Sequence, residues 1–132
     1  MAFRLPMNLL LDSCALIALA NNALPESAHA ALESGAWAYV SSLSVWEIAI
    51  KVKSGRLSLP KPVEKWFIEL CEEYDLQEIP FLADLACAAA DLPLIHRDPI
   101  DRALIATAME RKLTLLTSDK IIPTYPGITT LW

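Results

Sequence analysis

Two rhythms of apolar and polar positions run along this chain. Asn8 to Leu11 is a short, almost wholly apolar run, the composition of a strand buried on both faces of a parallel sheet. Cys14 to Ala20 is rich in Ala and Leu and predicts a helix, which Asn21 and Asn22 stop. Pro25 and Glu26 open a second helix that reaches Ser34, with Gly35 in the usual C-terminal position. Trp37 to Ser41 has strand composition. Ser42 or Ser44 can cap the next helix, which Gly55 closes. Leu57 to Pro62 is a breaker-rich link, and Val63 to Glu73 is an amphipathic helix with Val63, Trp66, Phe67 and Leu70 on one face. Leu76 to Pro80 predicts a strand interrupted by polar Gln77 and Glu78. Phe81 to Asp91 predicts an Ala-rich helix, Pro93 to Arg97 a loop, and Asp98 to Lys112 a long helix. Leu113 to Thr117 is a strand, residues 120–127 form a loop with Pro and Gly, and Ile128 to Leu131 predicts the last strand. Residues 1–7 read as a leader, and the chain carries no internal repeat or low-complexity tract.

Strands alternating with helices imply an α/β fold with a mostly parallel central sheet. The length of 132 residues predicts a single domain over residues 1–132, able to bury about two-thirds of its surface. With 55% hydrophobic and 20% charged residues, the chain has the composition of a folded protein. The net charge of −5 argues against a protein that grips nucleic acid by overall positive charge. It leaves open one that grips it through bound cations, which invert the local sign. The three cysteines, Cys14, Cys71 and Cys87, have no paired spacing, so neither a disulfide framework nor structural zinc is expected and a reducing cytoplasm fits. Asp12 splits the apolar N-terminal run, which excludes a good signal peptide or membrane span there.

In open parallel sheets, sites form outside the carboxyl ends of the strands. Asp12 follows the first strand directly, and Asp119 follows the Leu113–Thr117 strand almost directly. Asp12 can also cap the helix after it. Glu47 sits among apolar residues early in its helix, where it can pair with Lys51 at i,i+4 for about 0.2–0.5 kcal/mol. Asp98 before Pro99 is a strong helix-start signature, and Asp101 falls at the third helical position, where an acid completes a capping box. The i,i+3 spacing also puts both carboxylates on one helix face. Four or five acids converging without balancing Lys or Arg would repel one another, and a divalent cation removes that cost. An oxygen-only donor set favours Mg2+ or Mn2+ over zinc, and Mg2+ points to displacement at phosphorus.

These residues resemble the PIN-domain family, and within it the VapC-type toxin ribonucleases of bacterial and archaeal toxin–antitoxin pairs. LLLDSCALIAL is similar to the family's opening strand and first catalytic aspartate, Asp12. SSLSVWEIAIKVKSGRLSLP is similar to the segment carrying the second acid, Glu47, and HRDPIDRALIATAMERKLTLLTSD to the block carrying the third and fourth, Asp101 and Asp119. The resemblance implies a three-layer α/β/α PIN-like fold and a cytoplasmic endoribonuclease that depends on Mg2+ or Mn2+. In it Asp12, Glu47, Asp101 and Asp119 are both the catalytic residues and the metal ligands, and a Mg-activated water attacks the RNA phosphodiester. It also implies a homodimer and a cognate antitoxin that lays a helical segment into a groove. Asp98, Ser13 and Thr117 are supporting candidates, and Arg97 and Arg102, with His96 beside them, are candidates for RNA phosphate contact. One departure is Cys14, where many relatives carry His; it is expected as small apolar packing.

Two rivals remain. A catalytically inactive PIN-like module that only binds RNA or protein is disfavoured by the presence of all four acids. An aspartyl-phosphate phosphatase of the α/β kind would want a second acid two residues after Asp12, where this chain has Cys14.

Overall fold

The structure, a computed structural model, describes residues 7–132. Apart from Met7, the expected leader lies outside the described residues. The elements follow in the order β1 (Leu9–Leu11), α1 (Ser13–Ala20), α2 (Glu26–Glu33), β2 (Ala38–Ser41), α3 (Ser42–Lys53), α4 (Val63–Tyr74), β3 (Leu76–Ile79), α5 (Ala83–Asp91), α6 (Pro99–Arg111), β4 (Thr114–Leu116) and β5 (Thr130–Leu131), with a 3-10 turn at Ile122–Thr124 before β5. The strands form one sheet in the order β3-β2-β1-β4-β5. Each neighbouring pair is parallel, with Leu9 opposite Ala38 on one side and Thr114 on the other.

Successive side chains of a strand face opposite sides of the sheet, and β1 shows how this builds three layers. Leu9 and Leu11 pack with Leu16 and Leu19 of α1, Ile48 of α3 and Trp66, Phe67 and Leu70 of α4. Leu10 points the other way, to Leu104, Ile105 and Ala108 of α6 and Leu115 of β4. All three leucines of β1 are fully buried, as expected of a central parallel strand. Helix α5 covers α6 through Ala89, Ala103 and Ala106, small side chains that let the two helices approach closely. The polar positions Gln77 and Glu78 are exposed in β3, which is the sheet edge, while Leu76 is buried.

Several element ends differ from their sequence-based expectation. Helix α3 starts earlier: its cap is Ser41, whose Oγ accepts the Leu43 amide at 3.1 Å. Ser42 Oγ instead accepts the Phe81 amide at 3.2 Å and ties α3 to the α5 connection. That bond holds Phe81 outside α5, which begins at Ala83. Residues 128 and 129 precede the last strand instead of belonging to it. The stops at Asn22 and Gly35 hold, with φ of 54° and 88°, left-handed values that Asn and Gly tolerate best.

Because the strands are all parallel, their carboxyl ends share one edge of the sheet. Asp12 leaves β1 there, α3 leaves β2 there, and Thr117 to Asp119 leave β4 there. Helix α6 feeds β4 through a tight turn at Lys112, so it runs back and its N-terminus returns to the same edge.

Leu10 is fully buried between the sheet and α6. Leu10→Ala is therefore expected to lower unfolding stability by about 2–5 kcal/mol, measured by urea titration with circular dichroism; a loss within about 0.5 kcal/mol, typical of surface sites, would contradict this packing.

Candidate active site

A cleft of about 210 Å³ opens at this edge, lined by Asp12, Ser13, Cys14, Glu47, Lys51, Asp98, Asp101, Ser118 and Asp119. The four acids singled out in the sequence come together in it, each from a different element or connection. Asp12 is buried and does two jobs. Its Oδ1 accepts the Ala15 amide at 2.8 Å, which caps α1, and the Thr117 hydroxyl donates a hydrogen bond to its carboxylate. Thr117 Oγ1 in turn accepts the Asp119 amide at 3.1 Å, so one buried hydroxyl links two of the acids. Glu47 stands on α3 in the cleft wall, and no ion pair among the described residues joins it to Lys51.

Asp98 is the N-cap of α6: its Oδ1 accepts the amides of Ile100 at 2.8 Å and Asp101 at 3.2 Å. The reciprocal half of the expected capping box is missing. The Asp98 amide donates to His96 Nδ1 at 3.1 Å, which leaves the Asp101 carboxylate free for the cleft. His96 Nε2 lies 3.2 Å from Asp101 Oδ2 and 3.0 Å from Asp119 Oδ2. Asp119 Oδ1 accepts the amides of Ile121 at 2.7 Å and Ile122 at 3.1 Å.

Burial first, and then the charge of Asp98, push Asp101 up to about 7; His96 works against this, and Glu47 and Asp119 add to it. Burial also raises Asp12, against the hydrogen bonds from Thr117 and Ala15 and with the charges of Glu47 and Asp119. Asp119 lies below its ordinary value: partial desolvation raises it, but hydrogen bonds from His96, Ile122 and Ile121 outweigh that. The cleft thus concentrates negative charge that the protein's own cations leave largely uncompensated. A divalent cation fits these residues. The donors are carboxylate oxygens, and Ser13 in the cleft wall has a buried Oγ with no hydrogen-bond partner among the described residues.

Other candidates land differently. Arg102 is not a free phosphate contact. Its guanidinium donates to the carbonyls of Pro93 at 2.9 Å, Ala89 at 2.8 Å and Leu92 at 3.1 Å, and it reaches the Tyr125 hydroxyl at 3.4 Å. It pins the loop after α5. Arg97 is exposed beside this loop. Cys14 does not pack in the core as expected: it is exposed on the cleft wall, because the first turn of α1 presents it outward while Ser13 and Ala15 face inward. Burial and then the Asp12 charge raise its thiol above the ordinary value, which suits a bystander better than a nucleophile. Two residues were missed or undervalued. Ser118 lines the cleft, with only its place beside Asp119 to mark it. His96, expected beside the arginines as a phosphate contact, is instead buried against two of the acids, and its position two residues before a helix cap is the signal that marks it.

The PIN domain family model matches residues 9–127 of this chain. The chain belongs to the PIN-domain family. A relative, Ribonuclease VapC22 of Mycobacterium tuberculosis, is 30% identical over 112 residues, covering 83% of this chain and 85% of the relative. Among solved structures, this PIN domain is similar to a chain of the Rickettsia felis VapBC2 complex bound to a promoter DNA fragment, with TM-score 0.70 and 18% identity over 95% of this chain and 98% of that one. It is also similar to a chain of a toxin–antitoxin complex from Klebsiella pneumoniae, with TM-score 0.66 and 22% identity over 93% and 97%. Those likenesses establish the α/β/α PIN fold. PIN nucleases as a group depend on divalent metal, and the acidic cleft lies where the fold collects its strand ends. No helix among the described residues is long and apolar enough to cross a membrane.

The raised Asp101 has a consequence for stability. Its ordinary value is 3.8 and its folded value about 7, so between these limits the folded protein holds a proton that the unfolded chain releases. In EDTA, stability should therefore increase as pH falls from about 7 toward 4, with Asp12 acting in the same direction and Asp119, which is lowered, losing its contribution only as pH falls below the ordinary carboxylate range. Asp101→Asn is expected to flatten the trend and to melt higher than the parent at pH 8. Thermal melts across this range check it; an unchanged slope in the variant would refute the assignment.

Proposed function

We propose that this chain is a metal-dependent endoribonuclease, the toxin of a type II toxin–antitoxin pair. One observation carries the reading: four carboxylates from separate parts of the chain, Asp12, Glu47, Asp101 and Asp119, meet in one cleft with no Lys or Arg ion pair among the described residues to balance them. Kinship with a protein named as a ribonuclease supports the substrate class, and the likeness to chains of toxin–antitoxin complexes supports the partner.

In this reading the four acids hold Mg2+ or Mn2+. Such a cation, when bound, supplies an activated water and charge stabilisation for displacement at an RNA phosphodiester. The protein's residues orient and restrict. Asp12 is held by the Ala15 amide and the Thr117 hydroxyl, so it meets the cleft in one orientation. Asp119 is fixed by Ile121 and Ile122. Asp98 holds the start of α6, and so Asp101, at the cleft. Ser13 offers a hydroxyl with no hydrogen-bond partner among the described residues, suited to a substrate or cation-bound oxygen. Lys51 in the cleft wall and exposed Arg97 are the cations that this reading assigns to the RNA backbone.

A cognate antitoxin and a second copy of the chain require exposed apolar surface. Trp66, Phe67 and Leu70 are core residues and do not provide it. Trp46 and Ile50 do: they are exposed one turn apart on α3, next to Glu47.

The test is cleavage of structured RNAs by purified protein with Mg2+ or Mn2+. Cleavage is expected with either ion, to stop in EDTA, and to be lost in Asp12→Asn while the variant keeps its circular dichroism spectrum. Cleavage that persists in EDTA and in the variant would remove the mechanism. A fold-intact protein that binds RNA and cuts none of the substrates with either ion would favour the inactive binding module. Co-expression with a neighbouring small open reading frame that encodes a DNA-binding protein should yield a co-purifying complex with suppressed cleavage.

A further inference from the structure

Among the described residues, one side-chain nitrogen group, that of His96, lies within hydrogen-bond distance of the cleft's acids, and its contacts define its role. His96 is buried on the loop between α5 and α6. Its ring accepts the Asp98 amide at Nδ1, 3.1 Å away, so that nitrogen carries no proton. A neutral imidazole then holds its proton on Nε2. Nε2 donates to Asp119 Oδ2 at 3.0 Å, and the same nitrogen lies 3.2 Å from Asp101 Oδ2, so one N–H bonds one carboxylate and touches the other.

The three side chains could be taken for a metal site of their own, since their ligand atoms lie within 4.8 Å of one another. The Asp98 amide argues against that. With Nδ1 occupied as an acceptor and Nε2 protonated, neither nitrogen has a lone pair for a cation. Each carboxylate has roughly four lone-pair sites. His96 and the two backbone amides occupy three on Asp119, and no hydrogen bond among the described residues occupies the Asp101 carboxylate. Both acids therefore keep oxygen lone pairs facing away from the ring.

The loop that holds His96 is itself clamped. The His96 amide donates to the Tyr125 hydroxyl at 2.8 Å, and that hydroxyl donates to the Pro93 carbonyl at 2.8 Å. Arg102 Nη1 reaches the same carbonyl and the same hydroxyl. Backbone, ring and tautomer are all fixed before any ligand arrives.

We propose that His96 is a positioning residue: a neutral Nε2–H donor that anchors Asp119 by a hydrogen bond, seats Asp101 beside it by contact, and so clips the pair with their remaining oxygens toward a shared divalent cation, without ligating it. This rests on the cation reading of the cleft given above. Partners that orient metal-binding carboxylates are worth about 10–100-fold in metal affinity. Gln at this position can present an N–H near the place of Nε2, whereas Ala cannot.

The test titrates Mn2+ alone, with no RNA, into full-length parent, His96→Ala, His96→Gln and Asp12→Asn proteins, reading free Mn2+ by electron paramagnetic resonance and ligand nitrogen by pulsed measurements on the bound ion. Expected are tight binding by the parent, affinity about 10–100-fold weaker in His96→Ala, substantial recovery in His96→Gln, and no directly coordinated nitrogen in the parent. A folded His96→Ala protein with the parent's affinity would overturn the clip, as would a coordinated nitrogen signal that the alanine variant loses. If the alanine variant does not fold, the glutamine variant decides: binding as weak as that of Asp12→Asn overturns the proposal. A parent protein that takes up no Mn2+ fails the cation reading itself, an outcome distinct from a parent that binds and an alanine variant that binds equally well.

Discussion

Carboxylates of like charge repel, and the repulsion grows as water is withdrawn from around them. Collecting Asp12, Glu47, Asp98, Asp101 and Asp119 at one cleft is therefore a strain on the folded state, and much of the local architecture counters it. Asp98 places its charge on the amides at the start of α6. Asp119 takes two more amides, and Asp12 takes one together with a buried hydroxyl. Asp101 takes no backbone amide on its carboxylate, and burial with the charge of Asp98 drives it up to about 7. The imbalance is concentrated where a cation would relieve it.

The scaffold that tolerates this strain is a sheet closed on both faces. Leu9 and Leu11 anchor one layer of helices and Leu10 the other. With all strands running one way, their carboxyl ends cannot avoid sharing an edge, and the helices that return to that edge bring their N-termini with them. Partial positive charge at those termini and free backbone amides at the strand ends supply much of what the acids need. Fold and site chemistry are thus coupled through backbone direction.

The central strand, the LTLLT strand and the four acids were legible in the chain because each depends on local composition and on order along the sequence. Glu47 needed the family resemblance, since its spacing to Lys51 suits an ordinary surface pair that does not form. What could not be read depends on which of several donors reaches a given acceptor in three dimensions. The Asp98–Asp101 spacing suggested a reciprocal capping box, yet a ring nitrogen two residues upstream takes the amide instead. Arg102, beside an acid, suggested a phosphate contact; its guanidinium is consumed by carbonyls of a loop whose path is set by tertiary packing. Ser41 outcompetes two nearby serines as a cap because the Phe81 amide claims one of them.

The strand order also bears on the timing of synthesis. β1 sits between β2 and β4, so the acids of the first half of the chain wait beside an open strand edge until β4 arrives. Asp119 comes three residues after β4 ends. A growing polypeptide therefore carries Asp12 and Glu47 without a complete cleft until Asp119 has been made. No fragment that stops short of Asp119 contains all four acids, so a nuclease built on this topology stays incomplete on the ribosome until β4 and the residues just after it are made.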